Sequence, residues 1–235
     1  MPASSSHQTA EASPGLARSD RRKIEVIELP GVVVTRTLAS SAKRGIDLLL
    51  ASVALVLLAP VMLLIALLVK SDSRGPVLYR SPRTGRYGER FGMLKFRTMV
   101  VDADIQRPIL LHRSESPDGI LFKMQHDPRL TRLGRLLRVS SLDELPQLFQ
   151  VLTGTMSLVG PRPLPPEEDE MIRGSRFRRY ARPGITGPWQ VAGSWRVPLD
   201  EMVELDDEYL STWSVSSDIA LLARTVVHAL RREGV

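Results

Sequence analysis

Leu48–Val69 reads LLLASVALVLLAPVMLLIALLV, and only Ser52 and Pro60 in it are not plainly apolar. A run of about 20 apolar residues can cross a hydrocarbon core about 30 Å thick. The run is too long for the apolar part of a secretory signal, and no small-residue cleavage pattern follows it. A chain of 235 residues also has little interior in which to bury such a helix. The stretch therefore predicts a membrane-bound protein.

Both flanks of the apolar run are basic. Lys43 and Arg44 precede it, and Lys70 and Arg74 follow it, so the preference of positive charge for the cytoplasm does not orient a spanning helix. Pro60 lies near the middle, where it removes a backbone hydrogen bond and bends a helix. A bent helix that enters and leaves on one face would keep both basic ends in the cytoplasm. The residues alone leave this re-entrant arrangement and a simple span open.

The chain is basic and contains no cysteine. Its net charge of +6 fits an anionic partner, which could be nucleic acid, an acidic membrane surface or a phosphorylated substrate. The absence of cysteine excludes disulfides, thiolate metal sites and a cysteine nucleophile. The four histidines lie far apart, and neither a Walker A nor a G-x-G-x-x-G loop occurs. Composition therefore does not choose among these anionic partners, and it argues against a histidine-rich metal site.

We expect three regions along the chain. Residues 1–40 form a loosely ordered tail rich in Ser, Ala and Pro, residues 41–70 form the membrane helix, and residues 71–235 form a cytoplasmic domain. Two apolar runs around a glycine turn at residues 75–97 predict a β-hairpin. Leucines at helical spacing after Asp127-Pro128 predict an amphipathic, basic interfacial helix that begins at this proline. The predicted fold class is α+β and mostly helical.

Lys95 and Arg97 belong to the second strand of this hairpin. Alternation along a strand places both cations on one face, so we expect them to point into one shared site. The alternative is an exposed basic strand face.

Ser140–Gln147, with the sequence SSLDELPQ, contains the adjacent carboxylates Asp143 and Glu144. Pro146 is tolerated only in the first turn of a helix, which predicts a helix start near Asp143. In one interpretation Asp143 is an N-cap and Glu144 complements the helix dipole. In the other, nearby arginines keep a carboxylate ionised as a nucleophile or metal ligand toward a phosphate. These arginines are Arg129, Arg132, Arg135, Arg138 and Arg162.

Four ordered sequence blocks carry a family resemblance. They are KFRTM at residues 95–99, SLDELPQ at 141–147, MSLVGPRP at 156–163 and RPGITG at 182–187. Together they resemble the signature of the bacterial sugar transferases, the monotopic polyprenyl-phosphate hexose-1-phosphate transferases, and the resemblance extends over residues 43–231. Gln150 and Thr155 depart from the asparagine and the acidic residue that the family usually has there. The resemblance implies a membrane-embedded re-entrant helix followed by a small cytoplasmic catalytic domain.

The implied reaction transfers a hexose 1-phosphate from a UDP-sugar to undecaprenyl phosphate and initiates extracellular polysaccharide or glycoconjugate synthesis. Asp143 would be the nucleophile and would form an aspartyl-phosphosugar, while Glu144 would act beside it and bind Mg²⁺. The resemblance implies substrate-phosphate contacts by Lys95, Arg97, Arg138 and Arg162. We expect Lys43 and Arg44 to bind the lipid phosphate, with an ordinary interfacial anchor as the alternative.

The resemblance also implies location and partners. The protein is expected in the bacterial inner membrane with its catalytic domain on the cytoplasmic face. Larger members of this exopolysaccharide and O-antigen branch carry a multispanning region that we do not expect here. No nucleic-acid partner is expected, because the arginine- and aromatic-rich residues 176–184 lack an RRM or KH signature; a homodimer stays open. The competing function is a non-catalytic, membrane-anchored basic module that binds anionic lipids or partner proteins.

Overall fold

The computed structural model describes residues 37–115, 122, 124, 126–172, 177–193 and 197–230. Residues 1–36 of the predicted tail lie outside the described residues. Within the described part the chain is α+β and mostly helical, as the sequence predicted.

The apolar run forms the first helix, α1, over Thr37–Asp72, with Pro60 inside it. It is the one helix in the described part of the chain that is long and apolar enough to cross a membrane. Many of its apolar side chains are exposed, and Val56 and Leu57 are exposed by 76% and 71%. Continuous exposed apolar surface of this kind marks contact with an apolar environment. The helix therefore supports association with a membrane.

One side of α1 packs against the domain that follows it. Ala51, near the start of the apolar run, belongs to the same buried cluster as Val151. Val69, near its end, is buried in a cluster with Phe96 and Leu137. Both halves of the helix are thus in contact with a single globular unit.

The predicted hairpin is confirmed. It consists of β1 (Leu78–Thr84) and β2 (Arg90–Phe96), which pair antiparallel. A second, parallel pair joins β3 (Ser157–Val159) to β4 (Gly184–Thr186). Gly160, directly after β3, lies so close to the neighbouring chain that a Cβ there would meet Arg182 O at 2.5 Å. A side chain at this position would separate the two strands, which explains why glycine opens the loop.

Seven further α-helices belong to the described domain. They are α2 (Ala103–Leu110), α3 (Arg132–Val139), α4 (Gln147–Thr153), α5 (Pro166–Met171), α6 (Pro188–Val191), α7 (Leu199–Ser211) and α8 (Val215–Leu230). The leucines of α3 include Leu137, which is buried, and Leu136, which is 60% exposed. The helix is therefore amphipathic, as predicted.

The start of α3 differs from the prediction. The N-cap is Thr131, whose hydroxyl accepts a hydrogen bond from Gly134 N. Asp127 does not cap the helix because its carboxylate is paired with Arg129 at 2.6 Å. The carboxylate that was predicted to cap the helix is thus used in an ion pair, and α3 begins at Arg132.

Candidate functional site

The two adjacent carboxylates lie in a 3₁₀ turn, Leu142–Glu144, between α3 and α4. The predicted helix start at Asp143 is wrong, because α4 begins at Gln147 and Pro146 occupies its N-cap position. Ser141 precedes the turn with φ of 56°, a left-handed conformation that few residues other than glycine adopt. Such backbone strain is characteristic of functional sites. The structure therefore gives Asp143 no capping role at α4.

Glu144 is bound by two cations. Its Oε1 accepts hydrogen bonds from Lys95 Nζ at 2.7 Å and from Arg162 Nη2 at 3.1 Å. Burial alone would raise the pKa of Glu144, but Lys95 and Arg162 outweigh this effect and lower the pKa to about 2. Glu144 is therefore ionised at neutral pH.

Asp143 is more weakly paired than its neighbour. Its side chain is buried, and its Oδ2 lies 3.7 Å from Lys95 Nζ. Burial raises the pKa of Asp143, the charge of Glu144 raises it further, and Lys95, Arg138 and Arg162 only partly oppose the change. The direction of this pKa shift is opposite to the one that the arginines alone would cause. The result is a carboxylate oxygen more basic than that of an ordinary aspartate.

Three elements bring cations to this carboxylate pair. Lys95 arrives from β2, Arg162 from the loop after β3, and Arg138 from α3. Arg138 Nε donates to Thr98 Oγ1 at 3.1 Å, which fixes the guanidinium against the segment after β2. Burial lowers the pKa of Arg138, and Asp143 counteracts this shift. The structure thus gathers three of the predicted phosphate-binding residues around the two carboxylates.

Arg97 does not join this cluster, although it was expected to share a face with Lys95. Its guanidinium donates to Arg74 O at 2.9 Å and to Ser73 O at 2.6 Å, just beyond the C-terminal end of α1. β2 ends at Phe96, so the alternation on which the prediction depended stops before Arg97. The carbonyls at a helix C-terminus lack intrahelical partners, and here Arg97 binds the chain that leaves this end.

Lys43 and Arg44 are also bound by protein groups. Lys43 Nζ pairs with Asp218 at 2.6 Å. Arg44 donates to Val151 O at 2.6 Å and to Leu152 O at 2.9 Å, at the C-terminal end of α4. The structure therefore places both cations in contacts that attach the start of α1 to the domain, and away from the two carboxylates.

Sequence reasoning missed two contributors to the site. Gln150 attaches α4 to the hairpin, since its Oε1 accepts from Leu94 N at 2.8 Å and its Nε2 donates to Gly92 O at 2.9 Å. Arg83 on β1 interacts electrostatically with Arg162 and Glu144. The sequence signal for Arg83 was an arginine in the first strand of the predicted hairpin, and only the register, in which Tyr79 pairs with Lys95, places it on the face of Lys95.

The carboxylates of the site suit a metal that is also bound by substrate. The described residues contain no cluster of three or more His, Asp or Glu side chains that would hold a metal ion unaided. Mg²⁺ usually takes one or two protein carboxylates and completes its shell with phosphate oxygens and water. Glu144, which is ionised, fits that requirement when a diphosphate is present.

A family model for bacterial sugar transferases matches residues 38–232. The chain belongs to the bacterial sugar transferase family. The matched range contains every residue of the carboxylate and cation cluster described above.

Relatives of this bacterial sugar transferase are named as sugar transferases or exopolysaccharide production proteins. An uncharacterized sugar transferase of Haemophilus influenzae is 42% identical over 198 residues, which cover 82% of this chain and 41% of the relative. Undecaprenyl-phosphate galactose phosphotransferase of Salmonella typhimurium is 40% identical over 198 residues, with 82% and 41% coverage. The exopolysaccharide production protein ExoY of Rhizobium meliloti is 40% identical over 197 residues, with 81% and 86% coverage. The chain thus spans about two fifths of the first two relatives and most of the third.

Proposed function

We propose that this bacterial sugar transferase moves a hexose 1-phosphate from a UDP-sugar to undecaprenyl phosphate and so initiates extracellular polysaccharide or glycoconjugate synthesis. The observation that carries this proposal is the buried pair Asp143 and Glu144 among Lys95, Arg138 and Arg162. A phosphate-binding cluster that also contains a basic carboxylate oxygen suits phosphoryl transfer. The names of the Salmonella and Rhizobium relatives support the same reaction class.

Asp143 is the nucleophile in this proposal. A carboxylate oxygen attacks the phosphorus next to the sugar, a new P–O bond forms, and the bond from this phosphorus to the bridging oxygen breaks. The electron pair leaves with UMP, and the sugar phosphate remains on the aspartate. In the second step an oxygen of undecaprenyl phosphate attacks the same phosphorus, and the Asp143 carboxylate is released. The raised pKa of Asp143 favours the first step because the ionised oxygen is more basic.

The surrounding cations stabilise the phosphoryl oxygens during both displacements. Lys95 Nζ lies 2.7 Å from Glu144 and 3.7 Å from Asp143. It can therefore stabilise negative charge on the carboxylates before the reaction and on the phosphoryl oxygens during it. Removing one such contact commonly costs about 3 kcal/mol of transition-state stabilisation, or about 100-fold in rate. Glu144 would hold Mg²⁺, which when bound neutralises part of the charge of a diphosphate.

A re-entrant α1 at the cytoplasmic face of the inner membrane agrees with this chemistry. Arg44 attaches the start of α1 to α4, and Arg97 attaches the chain just after its end to β2. A helix that crossed the membrane would separate its two ends by the bilayer, and one globular domain could not hold both. The proposed arrangement brings the carboxylates to the interface where the soluble donor and the lipid acceptor meet. We assign Lys43, Arg44 and Arg97 to anchoring α1.

The decisive test is the substitution Asp143→Asn, with exposed Asp200→Asn as the matched control. Purified protein is incubated with UDP-hexoses without lipid acceptor and examined by intact mass. We expect a sugar-phosphate adduct on the wild type and on Asp200→Asn, and neither an adduct nor turnover with Asp143→Asn. Full turnover of Asp143→Asn would overturn the role of Asp143 as nucleophile. A wild type that forms no adduct and turns over no donor would instead favour the non-catalytic basic module.

A further inference from the structure

Arg83, on β1, has a hydrogen-bond donor that is not satisfied among the described residues. Its Nε atom is buried and has no hydrogen-bond partner. The nearby carboxylate of Glu168 is paired with Arg107 at 3.4 Å. A buried donor without a partner is unfavourable, and such groups in a native structure call for an explanation. An anionic ligand would provide the acceptor that this Nε–H lacks.

The hairpin register places Arg83 on the face that carries Lys95. Tyr79 pairs with Lys95, and Arg83 pairs with Phe91. Directly paired residues share a face, and residues two or four apart along a strand share it too. Arg83 therefore lies on the same side of the hairpin as the cation that contacts Glu144.

The loop that carries Arg162 is joined to the end of β1. Thr84 N, next to Arg83, donates to Leu164 O at 2.9 Å. This bond holds the chain after Arg162 beside Arg83. Arg162 therefore contacts Glu144, while the chain that follows it is hydrogen-bonded to the end of β1.

The charges around Arg83 favour an anion with more than one phosphate. Burial and the positive charge of Arg162 together lower the pKa of Arg83 to about 10, so the side chain stays protonated at neutral pH. With Glu168 and its partner Arg107 included, five cations face three carboxylates in this region. The cations are Arg83, Lys95, Arg107, Arg138 and Arg162, and the carboxylates are Asp143, Glu144 and Glu168. The excess positive charge extends from the carboxylates toward β1, which suits a diphosphate better than a single phosphate.

We propose that Arg83 binds the phosphate that departs with the nucleotide, beside Arg162, when the donor is a nucleoside diphosphate sugar. This inference rests on the proposed function and deepens it. In the first step the bond between the bridging oxygen and the transferred phosphorus breaks, and the departing phosphate keeps the electron pair. Arg83 neutralises that charge. The second step contains no departing nucleotide, so Arg83 contributes to the first step alone.

The test uses the full chain with Arg83→Gln. The matched control is Arg80→Gln, which removes an exposed arginine from the opposite face of the same strand. UMP binding is measured by calorimetry, adduct formation from a UDP-hexose by intact mass, and transfer of the isolated adduct to undecaprenyl phosphate by product release. We expect Arg83→Gln to weaken UMP binding by 10-fold or more and to slow adduct formation by about 100-fold, with transfer to lipid at the wild-type rate. Arg80→Gln should match the wild type in all three.

The possible outcomes distinguish the nucleotide phosphate from the lipid phosphate as the ligand of Arg83. They also distinguish failure of this inference from failure of the proposed function. Wild-type UMP affinity in folded Arg83→Gln overturns the inference, and so does a defect confined to the lipid step, which would assign Arg83 to lipid phosphate. A wild type that forms no adduct with any donor defeats the proposed function, while the UMP comparison still decides the role of Arg83. If Arg83→Gln does not fold, Arg83→Lys retains the charge but loses the planar fork. Weaker UMP binding in this variant supports the inference, and unchanged binding overturns it.

Discussion

Asp143 and Glu144 are neighbours, yet their pKa values move in opposite directions. Glu144 accepts close hydrogen bonds from Lys95 and Arg162, which lower its pKa to about 2. Asp143 is buried and 3.7 Å from Lys95, and its pKa is raised. Carboxylates whose environments separate their pKa values commonly take different roles. This difference supports Glu144 as a permanent charge and Asp143 as the group that reacts.

Arg178, which is also buried, connects α7 to the loop that carries Arg162. Its Nη2 donates to Arg162 O at 2.5 Å, and its Nε lies 3.2 Å from Asp206 Oδ2. The ion pair of Arg178 and Asp206 therefore holds the loop that carries Arg162, without contacting Asp143 or Glu144.

Asp206 predicts a pH dependence of stability. Burial raises its pKa to about 7, although Arg178 opposes the shift. The folded pKa lies above the unfolded value of about 3.9, so the associated stabilisation is complete below pH 4 and is lost as pH rises through 7. Between pH 5 and 7 the free energy of unfolding should fall by up to about 1.4 kcal/mol per pH unit from this group. Glu144, with its lowered pKa, titrates below this range.

The measurement is denaturant unfolding in detergent between pH 5 and 8 for the wild type and Asp206→Asn. We expect the variant to show a flatter dependence on pH, because asparagine does not titrate. Equal slopes for the two proteins would contradict the raised pKa.

At the scale of secondary-structure elements, close packing of α3 positions Arg138. A Cβ on Gly134 would meet Thr98 O at 1.9 Å, and Thr98 also accepts the hydrogen bond from Arg138. Gly134→Ala should push α3 outward and lower stability by about 1–3 kcal/mol, with slower adduct formation. Gly45→Ala in α1 is the control, because nothing lies within 4 Å of its Cβ and alanine favours a helix by about 1 kcal/mol. The measurement is the thermal unfolding temperature of each variant. Equal values for Gly134→Ala and the wild type would contradict the close packing of α3 against Thr98.

The contact between β2 and the chain after α1 gives a separate prediction. Arg97→Met leaves Ser73 O and Arg74 O without the guanidinium that now binds them. We expect a loss of about 1–3 kcal/mol in the free energy of unfolding, measured by denaturant titration. UMP affinity should stay near the wild-type value because Arg97 lies outside the carboxylate cluster. A large loss of UMP affinity with unchanged stability would restore the phosphate-binding role that the resemblance implied.

At the scale of the whole molecule, the position of α1 in the membrane can be tested with single cysteines, because the chain has none. Ala42→Cys and Asp72→Cys place exposed thiols at the two ends of α1, and exposed Glu201→Cys reports the side that holds the domain. A membrane-impermeant maleimide should label all three in inverted vesicles and none in intact spheroplasts. Labelling of Ala42→Cys and Asp72→Cys from opposite sides would establish a spanning helix.

Local patterns in the sequence were sufficient to predict several secondary-structure elements and the family. The apolar run, the two strands around a glycine turn and the carboxylate pair before Pro146 depend on periodicity and composition over a few residues. The structure confirms the hairpin, the long apolar helix and the amphipathic α3. The starts of α3 and α4 were wrong, because an ion pair and a 3₁₀ turn competed with the capping pattern.

The sequence by itself determined that a basic chain presents an apolar helix, a hairpin and two adjacent acids in the order typical of bacterial sugar transferases. Tertiary structure alone decided which cations meet those acids. Lys95 and Arg97 are two residues apart, yet one contacts Glu144 and the other the chain after α1, while strand register places Arg83 on the face of Lys95. The physical reason is that the partner, burial and pKa of a charged side chain depend on groups brought from distant parts of the chain.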